Sequence, residues 1–113
     1  MSSDCLFCRI ARGEIPSTPV YSDEAYYAFR DINPAAPTHI LVVPRRHVER
    51  ISDAQDADAE MLGRLFITAN QIARSENLTD FRYVINCGPR AGQSVYHIHL
   101  HLLAGRDLDW PPG

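Results

Sequence analysis

The chain has 113 residues, of which 45% are apolar and 22% are charged, a balance typical of one ordinary globular domain, here spanning 1–113. The formal net charge is −3, so no basic field is available to hold a polyanion, and we expect no nucleic-acid partner. All 11 basic residues are arginine, and the absence of lysine excludes a P-loop lysine and Schiff-base chemistry.

The sequence lacks the usual features of membrane and secreted proteins. The longest aliphatic run, Ile40 to Val43, is far too short to cross a bilayer. Met1 is followed by Ser-Ser-Asp, which provides neither a basic and apolar leader nor a myristoylation signal. Three cysteines, an odd number, argue against a secreted disulfide scaffold. We therefore expect a cytoplasmic protein with no membrane partner.

The N-terminal half of the chain predicts one short helix and three strands. The helix is expected over 4–12, where a glycine follows it. Two short strands, over 20–22 and 25–31, are separated by turn residues. A third strand over 38–43 is apolar and β-branched, and Pro44 is expected to end it.

The C-terminal half predicts the longest helix and two further strands. Over 57–76, apolar residues recur at the i, i+3, i+4 and i+7 positions of an amphipathic helix. Strands are expected over 81–86 and 96–103, with a turn over 88–92 between them, and the tail 110–113 is irregular. Strands joined by short turns, with one long helix, predict an α+β domain on a mostly antiparallel, five-stranded sheet.

Three histidines alternate with aliphatic residues near the C-terminus. His97, His99 and His101 are expected to share one face of the strand over 96–103, since side chains at i, i+2 and i+4 of a strand point to one side. Five histidines placed at random give this spacing in about one sequence in 200. A solvated face and a metal site are alternatives to catalysis, but same-face residues lie ~6.5–7 Å apart, so three rings would have to converge steeply on one ion.

An imidazole in this place suits phosphoryl or nucleotidyl transfer. One ring nitrogen attacks phosphorus while the other keeps its proton, which a backbone carbonyl can fix. His99 is the best-supported nucleophile because an imidazole flanks it on each side. The turn just before the histidines, Gly92-Gln93-Ser94, offers close backbone N–H groups and a hydroxyl to an anionic phosphate.

The segment from Gln93 to Leu103 resembles the signature of the histidine triad (HIT) family, His-φ-His-φ-His-φ-φ, where φ is apolar. The resemblance continues in Asp31-Ile32-Asn33-Pro34, Pro44-Arg45-Arg46-His47 and Val84-Ile85-Asn86. The closing Trp110-Pro111-Pro112-Gly113 is similar to the Hint branch of the family, the nucleoside phosphoramidases.

This resemblance implies the HIT fold and a hydrolase that cleaves the P–N bond of purine nucleoside 5′-phosphoramidates through a nucleotidyl-His99 intermediate. Purine nucleoside monophosphates and phosphoramidates are then the expected ligands. Two alternatives remain: cleavage of dinucleoside polyphosphates or other nucleotidyl esters through the same intermediate, and a nucleotide-binding or zinc-binding adaptor without enzymatic activity. A metallohydrolase with catalytic zinc on the three histidines is a further alternative.

The resemblance also implies roles for individual positions. His97 and His101 flank and orient the nucleophile, and His39 joins the same network. Ser94 bonds the phosphate or the departing amine, and Asp31 holds the ribose hydroxyls, as suits an acceptor-only carboxylate. The other nucleotide-binding positions are Asn86 on the phosphate side, Gly92 and Gln93 in the loop, Trp110 in the tail, and an apolar base slot of Leu6, Phe7, Ile10, Ile15, Phe29 and Ile32. For the six apolar residues, plain core packing is an equal alternative.

Cys5 and Cys8 form a C-x-x-C pair, which alone fits a metal site, a redox site or two unrelated thiols. A structural zinc needs four sulfur or nitrogen ligands, and the chain has no second C-x-x-C. By resemblance to HIT relatives that hold zinc, His47 and His97 complete the set. We therefore expect a structural zinc and no organic cofactor, the alternative being two free thiols, since the cytosol disfavours a disulfide.

Trp110 is the only tryptophan, and two prolines follow it, which precludes a regular helix or a central strand. A large aromatic residue near a chain end is expected to dock, either on its own subunit or on a partner. The resemblance to the Hint branch implies a homodimer in which the tail reaches the partner's leaving-group pocket. Pairing of strands across the dimer would extend the sheet and cover an exposed edge.

Overall fold

A computed structural model describes residues 5–113, and all strand pairings within them are antiparallel. The elements, in chain order, are α1 (Leu6–Ala11), β1 (Pro19–Ser22), β2 (Tyr26–Arg30), β3 (Thr38–Pro44), α2 (Ala59–Ser75), β4 (Phe81–Val84) and β5 (Leu100–Ala104). The order across the sheet is β1-β2-β3-β5-β4, which leaves β1 and β4 as its edges. The predicted α+β architecture, with five strands, one long helix and one short helix, is confirmed.

The sheet separates two apolar clusters, because successive residues of a strand point to opposite faces. On one face, Ile40 and Val42 of β3 pack with the apolar side of α2. On the other face, Leu41 and Val43 pack with residues of α1. His101 lies directly opposite Leu41 in the β3–β5 ladder. Residues directly opposite each other in such a ladder share a face, so His101 lies on the α1 side of the sheet.

Both predicted helices are present with slightly different ends. The helix predicted over 57–76 runs from Ala59 to Ser75, and part of its acidic lead-in folds as two single 3₁₀ turns, Ile51–Asp53 and Asp56–Asp58. The short helix falls inside the predicted range 4–12, although residue 4 lies outside the described residues. None of the helices within residues 5–113 is long and apolar enough to cross a membrane.

The strand predicted over 96–103 is wrong at its N-terminal end, because β5 begins only at Leu100. Leu100 is the first residue of this segment that pairs with β3, and His101 is the first that pairs with β4. Before that point the backbone bends away, and Ile98 N–H donates instead to the Val48 carbonyl at 2.8 Å. The three triad histidines therefore do not share one regular strand.

Candidate active site

His99 lies at the centre of the site and is 7% exposed. Its Nδ1–H donates a hydrogen bond of 2.7 Å to the carbonyl oxygen of His97. A carbonyl oxygen can only accept, so the proton is assigned to Nδ1 and the lone pair to Nε2. Burial lowers the pKa of the His99 imidazole below its ordinary value, which keeps the ring neutral at pH 7. The arrangement presents a neutral imidazole nitrogen that can act as a nucleophile.

His39 and His101 form a hydrogen-bonded pair whose tautomers follow from one backbone group. Ala35 N–H donates to His39 Nδ1 at 2.9 Å, so the single proton of a neutral His39 lies on Nε2. His39 Nε2–H then donates to His101 Nδ1 at 2.9 Å, which places the His101 proton on Nε2. We call this series of donors, from Ala35 through His39 to His101, the donor chain.

The donor chain ends in a buried N–H group with nothing to bind. His101 Nε2 has no hydrogen-bond partner within residues 5–113. Burial, with a smaller contribution from the neighbouring histidines, lowers the pKa of His101 to about 4, so the ring is neutral at pH 7. The ring centroids of His101 and His99 lie 4.9 Å apart. A buried donor without an acceptor is costly, so its place beside His99 indicates a ligand that carries an acceptor, such as a phosphate oxygen.

Asp31 borders the donor chain. Its Oδ2 lies 3.4 Å from His39 Nε2, and its Oδ1 accepts a hydrogen bond of 2.8 Å from Asn33 N–H. With His39 and His101 it forms a group of side chains whose possible metal-ligand atoms lie within 4.8 Å of one another, here called the Asp–His cluster. The carboxylate is 20% exposed, so it has room for a further donor, and the ribose contact of Asp31 stays a prediction.

The imidazole of His97 is fully buried and contacts the two cysteines near the N-terminus. Its Nε2–H donates to the Pro44 carbonyl at 2.6 Å, which leaves the lone pair on Nδ1. That Nδ1 lies 3.3 Å from Cys5 Sγ, 3.5 Å from Cys8 Sγ and 3.2 Å from His47 Nδ1. Since one lone pair cannot accept from three donors well, a cation among these four side chains explains the arrangement better than hydrogen bonds do.

The spacings among these four residues, here called the Cys–His cluster, match a tetrahedral zinc site. Zn–N bonds of about 2.05 Å and Zn–S bonds of about 2.3 Å place two nitrogens about 3.4 Å apart, and a sulfur and a nitrogen about 3.6 Å apart. Cys8 Sγ lies 3.6 Å from His47 Nδ1, and all four ligand atoms lie within 4.8 Å of one another. Burial raises the pKa of the Cys5 thiol, so a metal would displace a thiol proton on binding.

The side chain of Gln93 holds the loop before the histidines. Its amide donates to the carbonyls of Glu49 at 2.8 Å and Val95 at 3.1 Å, and it accepts from Gly88 N–H at 2.9 Å. These contacts use the amide fully, and the residue is 4% exposed. Gln93 therefore supports the loop, and its expected contact with the nucleotide stays a prediction.

The prediction of a phosphate cradle made by the N–H groups of Gly92, Gln93 and Ser94 is wrong for the first two. Gly92 N–H donates to the Pro89 carbonyl and Gln93 N–H to the Gly88 carbonyl, so the turn itself uses both groups. Ser94 N–H has no acceptor among residues 5–113. A phosphate near the loop would meet one free N–H group and the Ser94 hydroxyl.

Asn86 lies against the same loop. A Cβ atom placed on Gly92 would make ordinary contact with Asn86 Nδ2, at 3.5 Å, and the φ of +98° at Gly92 is a conformation that strains any residue with a side chain. The Asn86 amide makes no hydrogen bond to other side chains or backbone groups between residues 5 and 113. It is free for a ligand, and its phosphate-side role stays a prediction.

Four of the six residues predicted for the base slot form one apolar wall beside the nucleophile. Phe7, Ile10 and Phe29 are buried in a single cluster, and Ile15 packs against it. Leu6, at 43% exposed, and Ile32, at 90% exposed, lie outside that cluster. Besides Cys5, which is a predicted metal ligand, the cluster has four further members that sequence reasoning missed, because a buried strand gives no signal of which face carries a site: Tyr27, Leu41, Val43 and Val95.

The Trp110 side chain is 82% exposed, so the alternative in which it folds back on its own subunit is wrong. The chain before it is held by the guanidinium of Arg82, which donates to the carbonyls of Leu108 at 3.0 Å and Asp109 at 2.9 Å. The tail thus presents a large aromatic ring that packs little against the described part of its own subunit, residues 5–113. Its place in a partner's site stays a prediction.

Known proteins share this fold. The family model described as HIT domain matches residues 12–108. The chain is 51% identical to the "14 kDa zinc-binding protein" of Zea mays, over 98% of this chain and 89% of that protein, and 49% identical to an uncharacterised HIT-like protein of Synechococcus elongatus over 100% of both. The structure of a HIT family hydrolase from Legionella pneumophila matches with a TM-score of 0.94 at 51% identity, covering 96% of this chain and 99% of that one. The chain belongs to the HIT family.

Proposed function

We propose that the protein is a hydrolase that cleaves the P–N bond of purine nucleoside 5′-phosphoramidates, in which a nucleotide such as AMP is joined to an amine. The observation that carries the proposal is the 2.7 Å hydrogen bond from His99 Nδ1 to the His97 carbonyl. It leaves a neutral Nε2 lone pair in a buried site, which is what attack on phosphorus requires. The similarity to a HIT family hydrolase supports a hydrolytic reaction.

Two displacements at phosphorus account for the reaction. In the first, His99 Nε2 forms a bond to phosphorus, the P–N bond of the substrate breaks, and the departing nitrogen takes a proton from solvent and leaves as an amine. The bond from Nδ1–H to the His97 carbonyl stabilises the positive charge that develops on the ring. In the second, water attacks phosphorus, its proton passes to solvent, the bond to His99 breaks, and the nucleoside monophosphate leaves.

Each of the surrounding groups contacts a different part of the substrate. His101 Nε2–H donates to a non-bridging phosphate oxygen, which satisfies the buried donor at the end of the donor chain. The Ser94 hydroxyl donates a hydrogen bond to the phosphate or the departing amine and keeps its proton, and Asn86 lies on the phosphate side. Asp31 accepts from the ribose hydroxyls. The apolar wall holds the purine ring through Phe7, Ile10, Ile15 and Phe29, and Leu6 and Ile32, which lie outside that cluster, stay predicted contacts of the base.

The Cys–His cluster holds a structural zinc in this proposal. The distances among its ligand atoms fit tetrahedral coordination, and the 51% identical maize protein is named for zinc binding. Zinc bound by Cys5, Cys8, His47 and His97 would supply stability and no chemistry at phosphorus, because four protein ligands leave it no open position. The Pro44 carbonyl, which accepts from His97 Nε2–H, fixes the tautomer that such a ligand needs.

The proposal also includes a cytoplasmic homodimer. The edge strand β4 has an unpaired side, and an aromatic face next to it leaves Phe66 39% and Phe81 37% exposed around Tyr83. A second copy seated on this face would bury these rings and pair the strand edge, extending the sheet. Trp110 of each subunit would then approach the partner's leaving-group pocket. Sedimentation at micromolar concentration tests the dimer, and a monomer would contradict it.

Trapping the intermediate tests the reaction. The protein is mixed with adenosine 5′-phosphoramidates of several amines, the guanosine equivalents and diadenosine polyphosphates, then quenched in acid-free denaturant within one turnover. Intact-mass and peptide measurements should find a nucleotidyl group on His99, formed fastest from the phosphoramidates. Faster adduct formation from the polyphosphates favours the alternative hydrolase. Nucleotide binding with no adduct and no product favours the adaptor.

A further inference from the structure

Helix α1 carries an aromatic residue that reaches the nucleophile. The Phe7 ring lies edge-on to the His99 ring, with 4.9 Å between centroids and 88° between planes, and Phe7 is 5% exposed. It also lies edge-on to Phe29, at 5.5 Å and 75°. Perpendicular aromatic pairs at these separations attract each other beyond the apolar area that they bury. Phe7 therefore packs against the one ring whose nitrogen must be aimed at phosphorus.

Two other groups restrain the His99 ring. Its Nδ1 is bound to the His97 carbonyl, and the ring of His101 lies at 4.9 Å with a tilt of 59°. One hydrogen bond fixes a single atom of the ring and leaves the ring free to tilt about that atom. The perpendicular contact with Phe7 limits the tilt. Attack on phosphorus depends on in-line alignment, so this contact bears on the chemical step.

Helix α1 is too short to hold Phe7 in place by itself. It has six residues, fewer than two turns, and isolated helices of that length are not stable in water. Its N-cap is Cys5, whose sulfur accepts from Cys8 N–H at 3.4 Å. Both thiols lie within 3.5 Å of His97 Nδ1, so the residue next to Phe7 in the chain belongs to the Cys–His cluster.

We propose that Phe7 is a positioning residue for His99 and that metal binding in the Cys–His cluster sets its position, so that metal occupancy tunes the nucleophile. The inference rests on the proposed function, because it takes His99 as the attacking group and zinc as the ligand of the cluster. The far end of the helix has a separate anchor, since Arg45 donates to the Ala11 carbonyl at 2.6 Å. Metal loss is therefore expected to free the first turn, which carries Phe7, and to leave the last turn in place.

A matched pair of variants tests the positioning role. Phe7→Leu and Phe29→Leu make the same change in the same cluster at residues of equal 5% exposure, but Phe29 has no ring contact with a histidine in the described chain. Both variants should raise KM, because both residues line the base slot. Only Phe7→Leu should lower kcat, by about 3- to 10-fold, and shift the ring-proton NMR resonances of His99. If Phe7→Leu has the same kcat as Phe29→Leu and leaves the His99 ring-proton resonances unshifted, Phe7 has no positioning role.

Zinc titration into the metal-free full-length protein tests the coupling. Zinc should shift the His99 ring-proton resonances of the wild type, and Phe7→Leu should lose most of that shift. An equal shift in both proteins would assign the effect to the His97 carbonyl and overturn the role of Phe7. Zinc binding with no shift, or no zinc binding, would overturn the coupling. A nucleotidyl group trapped on His99 in the same samples would leave the proposed reaction standing, whereas its absence would refute the reaction itself.

Discussion

The Cys–His cluster and the Asp–His cluster both bring metal-capable atoms within 4.8 Å of one another, yet they use histidine in opposite ways. In the Cys–His cluster, the far nitrogen of His97 meets the Pro44 carbonyl at 2.6 Å, so a lone pair faces the cluster. In the Asp–His cluster, the far nitrogen of His39 meets Ala35 N–H at 2.9 Å, so a proton faces the cluster. The first arrangement suits a cation, because a lone pair faces the cluster, and the second suits a hydrogen-bond acceptor, because an N–H group faces it.

The polarity of one backbone group thus decides what each imidazole can do. An imidazole that donates to a carbonyl from its far nitrogen is prepared as a metal ligand. An imidazole that accepts from an N–H group there has no lone pair left on its other nitrogen, so a metal in the Asp–His cluster would require His39 to lose its bond to Ala35. His99 lies between the clusters, bound to the carbonyl of His97 and in ring contact with His101.

The largest loss of turnover is expected from substitution of His99, which lies between the two clusters. His99→Ala should lower phosphoramidate turnover by about 10⁴-fold or more, because the whole covalent route is lost. The variant should keep the far-ultraviolet circular dichroism and zinc content of the wild type, since the imidazole of His99 belongs to neither the Cys–His cluster nor the sheet ladder. Turnover within about 10-fold of the wild type would show that the nucleophile lies elsewhere, because even one supporting donor is worth about 10²-fold or more.

A smaller loss of kcat is expected when a substitution at His39 removes its hydrogen bond to His101. Asparagine places its amide near the His39 Nδ1 position, so His39→Asn keeps an acceptor for Ala35 N–H and loses the donor to His101. Glutamine reaches the Nε2 position, so His39→Gln keeps the donor to His101. We expect a loss in kcat of about 10²-fold for asparagine and about 10-fold or less for glutamine.

The two His39 variants also have a spectroscopic readout. In the wild type and in His39→Gln, the ¹⁵N shifts of His101 should report a proton on Nε2, and in His39→Asn they should report a mixture of tautomers. Equal kcat values for the two variants, with the Nε2 proton of His101 kept in both, would remove the donor chain from the mechanism.

The sequence predicts the fold better than it predicts these tautomers. The helix over 57–76 and the strand over 38–43 come close to their observed bounds, because apolar spacing follows burial directly. The strand over 96–103 fails before Leu100, because an alternating pattern cannot show that Ile98 N–H binds the Val48 carbonyl outside the sheet. The triad and the C-x-x-C pair are visible as residue types at fixed spacings, and the resemblance to HIT relatives adds His47 and His97 as the other two predicted zinc ligands. The Ala35 N–H and Pro44 carbonyl groups that give them opposite roles carry no sequence signal, since every residue except proline has both.

Removing one cysteine from the Cys–His cluster should lower the thermal stability of the protein more than it lowers kcat. Cys8→Ser should lose stoichiometric zinc and lower the melting temperature of the zinc-loaded protein by about 10 °C or more, while kcat falls by no more than about 10-fold. Cys87→Ser is the matched control, because the Cys87 thiol donates to Ser52 and lies outside the cluster. Elemental analysis and thermal melts measure both effects. Zinc content equal in the two variants would refute the assignment of Cys8 as a ligand.

The smallest effect at neutral pH concerns the charge of the donor chain. Burial lowers the pKa of His101 from an ordinary 6.5 to about 4, and burial also lowers the pKa of His39. A folded-state pKa below the unfolded value means that the unfolded chain binds more protons between pH 6.5 and 4. Both histidines therefore contribute stability that is present above their ordinary pKa of 6.5 and is lost as the pH falls, and for His101 the loss continues as the pH approaches 4.

Activity should follow the same direction, because protonation of His101 on Nδ1 breaks its bond from His39 Nε2–H. We expect kcat/KM to hold steady from pH 8 to about pH 6 and to fall as the pH is lowered further. A ¹⁵N titration of His101 should show no midpoint near 6.5 in the folded protein. A midpoint near pH 6.5 in that titration, with kcat/KM falling at the same pH, would mean that the donor chain is exposed to solvent. The contrast between the two clusters would then not rest on a buried, neutral donor.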